Sequence, residues 1–181
     1  MLKNINTPEE LLEYMDIINY GFTFNNKIYL DKDFENNILK WKLSSPERLL
    51  KEKYGHCFDQ VELEREWFTK HNYKVYTFYI MFLLPYENPY TTHTFLVYED
   101  NNKYYHFEHS DYYNRGIHEY NTLDELLDSE INNHLKSNQK DNKMTKEEIN
   151  SLVIYEYQKP PYNIGFLDFI NNILNNGKKI R

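Results

Sequence analysis

The chain has only one cysteine and no dense run of lysine or arginine. A lone cysteine cannot form an internal disulfide, so Cys57 is either a small buried apolar residue or a reactive thiol. The formal net charge is -7, and the acidic residues are spread along the chain. Because no basic run is present to neutralise a phosphate backbone, we expect no nucleic-acid partner.

Long apolar runs are also missing. The first twelve residues form a polar start that leads into an amphipathic helix, without the apolar core of a secretory signal, and no later stretch approaches membrane-spanning length. The sequence therefore predicts a soluble, cytoplasmic protein with no membrane partner.

The length and the aromatic content predict a single folded domain. The 181 residues lie within the usual size of one domain, so we expect one domain over residues 1–181. The aliphatic content is modest, but 18 Tyr and 11 Phe supply large side chains for the interior. We expect a core rich in aromatic residues.

Capping signals and apolar periodicity predict the first helices. Thr7 and Glu10 form a capping box that opens a helix ending near Asn19, and Ser45 begins a second helix that stops near Gly55. Residues 20–41 are loop-like, with a short strand at residues 27–30. In residues 57–70, helical spacing places several side chains on one face, with the cysteine at the N-terminus. These are Cys57, Val61, Glu64 and Phe68.

Runs typical of strands cover residues 74–84, 92–100 and 103–109, and Asn101-Asn102 is a turn signal between the last two. A helix capped by Thr122, an exposed polar loop at 137–147, a strand at 152–157 and a helix at 165–176 complete the pattern. The order predicts an α+β fold with an antiparallel sheet.

The position of Cys57 favours a reactive thiol. The positive end of a helix dipole lowers a thiol pKa, and Gly55 allows a sharp turn and a close approach of substrate backbone. Simple burial of Cys57 against the sheet is the alternative.

His93 and Glu108 stand on the two arms of the predicted hairpin. An even number of loop residues places both side chains on one face of the sheet. A four-residue loop puts them directly opposite each other, and a two-residue loop at Asn101-Asn102 makes them diagonal neighbours. An odd loop length separates them onto opposite faces.

Three segments resemble motifs of the transglutaminase-like superfamily of papain-like cysteine enzymes, in particular its small bacterial-type members. They span residues 45–110. The segments are Gly55-His56-Cys57-Phe58-Asp59-Gln60, Thr92-His93-Thr94-Phe95-Leu96-Val97 and Tyr104-Tyr105-His106-Phe107-Glu108.

The resemblance implies a papain-like core, in which the cysteine helix packs on an antiparallel sheet, and a triad for acyl transfer from amides, peptides or esters. Cys57 would be the nucleophile, His93 the base and Glu108 the acid that orients it, with no cofactor and a protein or peptide substrate. The family usually carries aspartate as the third member, and glutamate is longer by one methylene. The second oxyanion donor stays open among Tyr20, Trp41 and Tyr54.

Two other functions compete with the triad. His93, His106 and Glu108 would line one face and could bind zinc, although no further cysteine or helical histidine pair supports this. A catalytically silent domain that uses its cleft to bind a peptide is the other alternative. We expect Asp59 to act only on the helix dipole and His56 to lie in an exposed turn.

Overall fold

The computed structural model describes residue 2 and residues 4–30, 32, 34–85 and 91–181. Met1 and Lys3 of the predicted polar start lie outside the described residues, as do two positions of the 20–41 segment. The helices are α1 Pro8–Tyr14, α2 Phe34–Asn37, α3 Pro46–Glu52, α4 Cys57–Lys70, α5 Leu123–Asp141, α6 Lys146–Asn150 and α7 Phe166–Asn176. The strands are β1 Gly21–Phe24, β2 Lys27–Leu30, β3 Lys74–Phe82, β4 His93–Asp100, β5 Lys103–Glu108, β6 Gly116–Tyr120, β7 Leu152–Glu156 and β8 Lys178–Lys179.

Within the described residues, six strands form one sheet in the order β6-β5-β4-β3-β7-β8, while β1 and β2 form a separate hairpin. All the pairings in both sheets are antiparallel. The predicted α+β class with an antiparallel sheet is therefore confirmed. No helix in the described part of the chain is long and apolar enough to cross a membrane.

Helix α4 covers one face of the sheet. Leu96 of β4 and Phe107 of β5 are buried in a cluster with Leu63 and Phe68 of α4. Fully burying side chains of this size stabilises the fold by about 1.5–3 kcal/mol each. The contact between α4 and the central strands thus holds Cys57 next to the start of β4.

Helix α5 covers the opposite face. Phe95 and Val97, which alternate with Leu96 along β4, pack with Leu126 and Leu127 of α5. Alternate residues of a strand point to opposite faces, so residues 93, 95 and 97 share the side of the sheet that faces α5.

A tight turn joins α3 to α4. Lys53 ends α3 in the left-handed conformation with φ of 61°. A Cβ atom on Gly55 would lie 2.4 Å from Leu49 Cδ1, so glycine at this position lets α3 pack closely against the start of α4.

Several predicted boundaries are confirmed, including the helix that starts at Cys57 and the strand at residues 27–30. The capping box of Thr7 and Glu10 is present, but α1 ends at Tyr14 and continues as a 3-10 turn at Met15–Ile17, short of the predicted end near Asn19.

The predicted loop at residues 137–147 is wrong over most of its length, and strand β6 was not predicted. Residues 137–141 continue α5, because the side chain of buried Asn138 accepts a hydrogen bond from the Thr91 amide at 2.8 Å and holds this end of the helix to the chain leading into β4. The segment containing His118 and Glu119 is strand β6. Backbone pairing with β5 forms this edge strand, which carries little apolar alternation.

Candidate active site

The turn between β4 and β5 decides how His93 and Glu108 meet. Asp100 pairs with Lys103, so the loop has the two residues Asn101 and Asn102, both with positive φ. This is the two-residue form of the predicted hairpin, and the register makes His93 and Glu108 diagonal neighbours on one face. The imidazole Nε2 lies 2.7 Å from the carboxylate Oε2.

Cys57 is the first residue of α4, and its side chain is almost fully buried, with 2% of the residue exposed. Its thiol contacts the His93 side chain and the backbone of Thr94. Because Nε2 of His93 is bonded to Glu108, Nδ1 is the ring nitrogen left to face the sulfur.

The charges of this group favour a thiolate and an imidazolium. Burial raises the pKa of the Cys57 thiol, but the hydrogen bond and charge of His93 outweigh it, so the pKa falls below its ordinary value. Burial lowers the pKa of His93, whereas the charge of Glu108 and the contact with Cys57 raise it well above its ordinary value. Both shifts favour the charged forms of the pair over a neutral thiol and a neutral imidazole.

Glu108 is held in place through both carboxylate oxygens. Oε2 faces His93, while Oε1 accepts hydrogen bonds from the Ser110 hydroxyl at 3.0 Å and from the Asp111 amide at 2.7 Å. Burial raises the pKa of Glu108, but the charges of His93 and His106 bring it well below the usual range. These contacts therefore fix the carboxylate of Glu108, although its side chain is one methylene longer than that of aspartate.

Asp59 has a larger role than the predicted effect on the helix dipole. Its carboxylate is buried and accepts hydrogen bonds from Trp41 Nε1 at 3.1 Å, the Ser44 amide at 2.7 Å and the His56 amide at 2.9 Å. These bonds join the first turn of α4 to the segment before α3. Burial raises the pKa of Asp59 to about 6, although all three donors act in the opposite direction.

The prediction that His56 lies in an exposed turn is wrong. His56 is 2% exposed, and its ring packs at 4.7 Å from the Tyr20 ring and 4.1 Å from the Phe34 ring, measured between centroids. Burial lowers its pKa to about 4, so the imidazole is neutral near pH 7. The aromatic residues of the 20–41 segment, which no local pattern placed, form this pocket.

The three candidates for the second oxyanion donor differ in availability. The Trp41 indole NH is bonded to Asp59. Tyr54 lies in an isolated bridge with Asn19, and Tyr20, which is 37% exposed, borders the cavity beside His93. The amide of Cys57 is in the first helical turn, where no intrahelical acceptor exists for it. Of the named side chains, only Tyr20 combines exposure with a position at the cavity.

A polar cavity of about 190 Å³ opens against His93. It is bordered by the start of β4, by the loop between β5 and β6 and by α5. Its lining residues are Tyr20, Ile80, Thr91, Thr92, His93, Ser110, Asp111, Asn114, Glu130, Asn133, His134 and Ser137. A cavity of this size is below the range typical of drug-sized ligands, so it fits a small polar group.

The predicted alternative of a zinc site involves His93, His106 and Glu108. In the described part of the chain, no group of three or more His, Cys, Asp or Glu side chains is arranged to hold a metal ion. Instead, His106 lies between two carboxylates, 3.3 Å from Glu108 Oε2 and 2.9 Å from Glu130 Oε1.

Sequence reasoning did not single out Glu130, nor a role for Glu64. Glu130 follows Leu126 and Leu127 by one helical turn, so it lies on the apolar stripe of α5, and Glu64 shares the buried face of α4 with Cys57. A carboxylate on an apolar stripe is the signal that could have identified both residues.

The residues that follow β5 differ in exposure. Nδ1 of His109 lies 2.6 Å from Gln60 Oε1 of α4. Tyr112 and Tyr113, by contrast, are 85% and 88% exposed, so they do not belong to the aromatic core that the composition predicts.

Comparison of the chain with protein-family models and with curated proteins finds no match. The function is therefore inferred from the geometry of the site and from the three sequence motifs.

Proposed function

We propose that the protein is a cysteine-dependent acyl-transfer enzyme that acts on amide, peptide or ester carbonyls, with Cys57 as nucleophile, His93 as base and Glu108 orienting His93. The observation that carries the proposal is the position of one imidazole between a helix N-terminal thiol and a buried carboxylate 2.7 Å away. An arrangement of thiol, imidazole and carboxylate in this order lowers the thiol pKa and fixes the tautomer of the imidazole.

In the proposed reaction, the Cys57 thiolate attacks the carbonyl carbon and forms a tetrahedral intermediate. The Cys57 amide at the start of α4 donates to the developing oxyanion. His93 then protonates the leaving group from Nδ1, while Glu108 stabilises the imidazolium. The resulting thioester is resolved by water, which gives a hydrolase, or by an amine, which gives a transglutaminase.

The resemblance to the transglutaminase-like superfamily supports this proposal. The chain has a cysteine helix packed on an antiparallel sheet, with the histidine and the acid on adjacent strands. We infer that this arrangement corresponds to a papain-like core, and that the substrate is a protein or peptide.

The burial of the thiol favours a second candidate, a catalytically silent peptide-binding domain. Because Cys57 is only 2% exposed, a substrate must displace neighbouring side chains to reach the sulfur. In a silent domain the triad would be structural, and the cavity beside His93 would bind the ligand.

The reactivity of Cys57 separates the two candidates. The test measures the iodoacetamide labelling rate as a function of pH for the wild type, for His93→Ala and for the matched control His71→Ala, a histidine at the other end of α4. Selective 13C labelling of the one cysteine gives a Cβ resonance that reports thiolate formation without a reagent. The measurement therefore does not depend on whether iodoacetamide can reach the buried sulfur.

We expect a wild-type midpoint well below the value of about 8.5 for free cysteine. His93→Ala should move the midpoint upward to the free value or beyond, because burial raises the thiol pKa once the charge of His93 is gone, and His71→Ala should leave it unchanged. If both methods gave a wild-type midpoint near that of free cysteine, the proposed enzymatic function would be refuted and the peptide-binding domain would be favoured.

A further inference from the structure

A buried histidine continues the chain of charges behind Glu108. His106 of β5 is 1% exposed, and each of its ring nitrogens faces a carboxylate. Nε2 lies 3.3 Å from Glu108 Oε2, and Nδ1 lies 2.9 Å from Glu130 Oε1 on α5. The order of groups from the active site inward is thus Cys57, His93, Glu108, His106 and Glu130.

The two carboxylates favour the charged form of His106. Both contacts lie within ion-pair distance, but neither ring nitrogen meets hydrogen-bond geometry with its carboxylate, so the attraction is that of opposite charges. A neutral ring would place no positive charge between the two carboxylates. Burial lowers the pKa of His106, but the charges of Glu130 and Glu108 raise it to about 9, which agrees with a cation near neutral pH.

Three other titratable groups surround His106. His93 of β4 shares the Glu108 carboxylate with it, and the His118 ring of β6 lies 5.9 Å from the His106 ring between centroids. Glu64 faces the group from α4, where burial and the charge of Glu108 raise its pKa well above the ordinary value. With the thiolate formed, the charges alternate from Cys57 to Glu130.

We propose that His106 is a positioning residue, a buried imidazolium which, held by Glu130, keeps Glu108 ionised and directed at His93. It does not touch the substrate, and its role rests on the proposed function of the triad. Without a positive charge on His106, only His93 would balance the two buried carboxylates of Glu108 and Glu130. The uncompensated negative charge would raise the pKa of the Cys57 thiol and disfavour the thiolate.

The test compares His106→Asn with Glu130→Gln, using the 13C resonance of Cys57 to follow thiolate formation. Removing a positive charge raises the thiol pKa, so His106→Asn should move the midpoint upward by roughly one pH unit. Glu130→Gln removes a negative charge further away and should lower the midpoint or leave it unchanged. A purely structural role would move both variants in the same direction, toward free cysteine.

A second measurement does not use His106→Asn, so it is independent of whether that variant folds. With 15N-labelled histidine, both ring nitrogens of His106 should carry protons at pH 7, and Glu130→Gln should lower the pH at which one proton is lost. A neutral His106 ring at pH 7 would overturn the proposal. A low wild-type midpoint for Cys57 that His106→Asn leaves unchanged would also overturn it. A wild-type midpoint near that of free cysteine would instead refute the triad, and this proposal with it.

Discussion

Replacing Glu108 by glutamine tests the centre of the site with little change in shape. The amide oxygen can still accept from the Ser110 hydroxyl and the Asp111 amide, which bond to Oε1. The change removes the negative charge that faces His93 at 2.7 Å and His106 at 3.3 Å. The two imidazoles therefore lose the carboxylate they share.

The expected magnitudes follow from these contacts. Removing one member of a buried ion pair costs about 3–5 kcal/mol of unfolding free energy. We expect a loss of about 3 kcal/mol, at the lower end, because His93 can release its proton and become neutral. An amide neither enforces one tautomer nor stabilises the imidazolium, and removal of the acid in a comparable triad slows the reaction by roughly 10⁴-fold. We expect a loss of about 10³-fold or more in the rate of Cys57 acylation by an activated ester.

Urea unfolding measures the first effect, and hydrolysis of p-nitrophenyl acetate measures the second, with Cys57→Ala as the baseline. Glu119→Gln on neighbouring β6 is the matched control. Its carboxylate is exposed and pairs with Lys103 and the Tyr105 hydroxyl, so its loss should cost no more than about 1 kcal/mol and leave the rate unchanged. If Glu108→Gln behaved like this control in both assays, Glu108 would have no place in the triad.

Two further outcomes are expected. Asp59→Ala should lower the unfolding free energy by about 3 kcal/mol, because Trp41 Nε1 and two buried amides lose their acceptor. Tryptophan fluorescence in urea measures this loss, and a loss below about 1 kcal/mol would show that water replaces the carboxylate. Unfolding free energy should also fall by about 3 kcal/mol between pH 6.5 and 9, since His106 has a pKa of about 9 when folded and about 6.5 when unfolded. The stabilisation by His106 is complete below its unfolded pKa and is lost as the pH rises through its folded pKa. The pKa shifts of Cys57 and His93 change the stability in opposite directions over this range. Urea denaturation curves that do not change between about pH 6.5 and 9 would contradict a charged His106.

Local patterns were sufficient for the elements that carry the proposed triad. Helical periodicity and the turn before Cys57 predicted where α4 begins, and the alternation of β4 and β5 limited His93 and Glu108 to a few relative positions. Both depend on residues close together in sequence, where the geometry of a helix turn or a two-residue hairpin loop leaves few choices.

Contacts between distant segments determined the rest. Nothing near Glu130 in sequence predicts its approach to His106, because that contact depends on how α5 crosses the opposite face of the sheet. The hydrogen bond from Trp41 Nε1 to Asp59 likewise joins the loop-like 20–41 segment to α4. The sequence by itself determined which residue types stand at the start of α4 and along one hairpin. Only the packing of helices on both faces of the sheet decided which of these groups are buried together, and burial is what turns a polar side chain into a shifted pKa and a fixed charge.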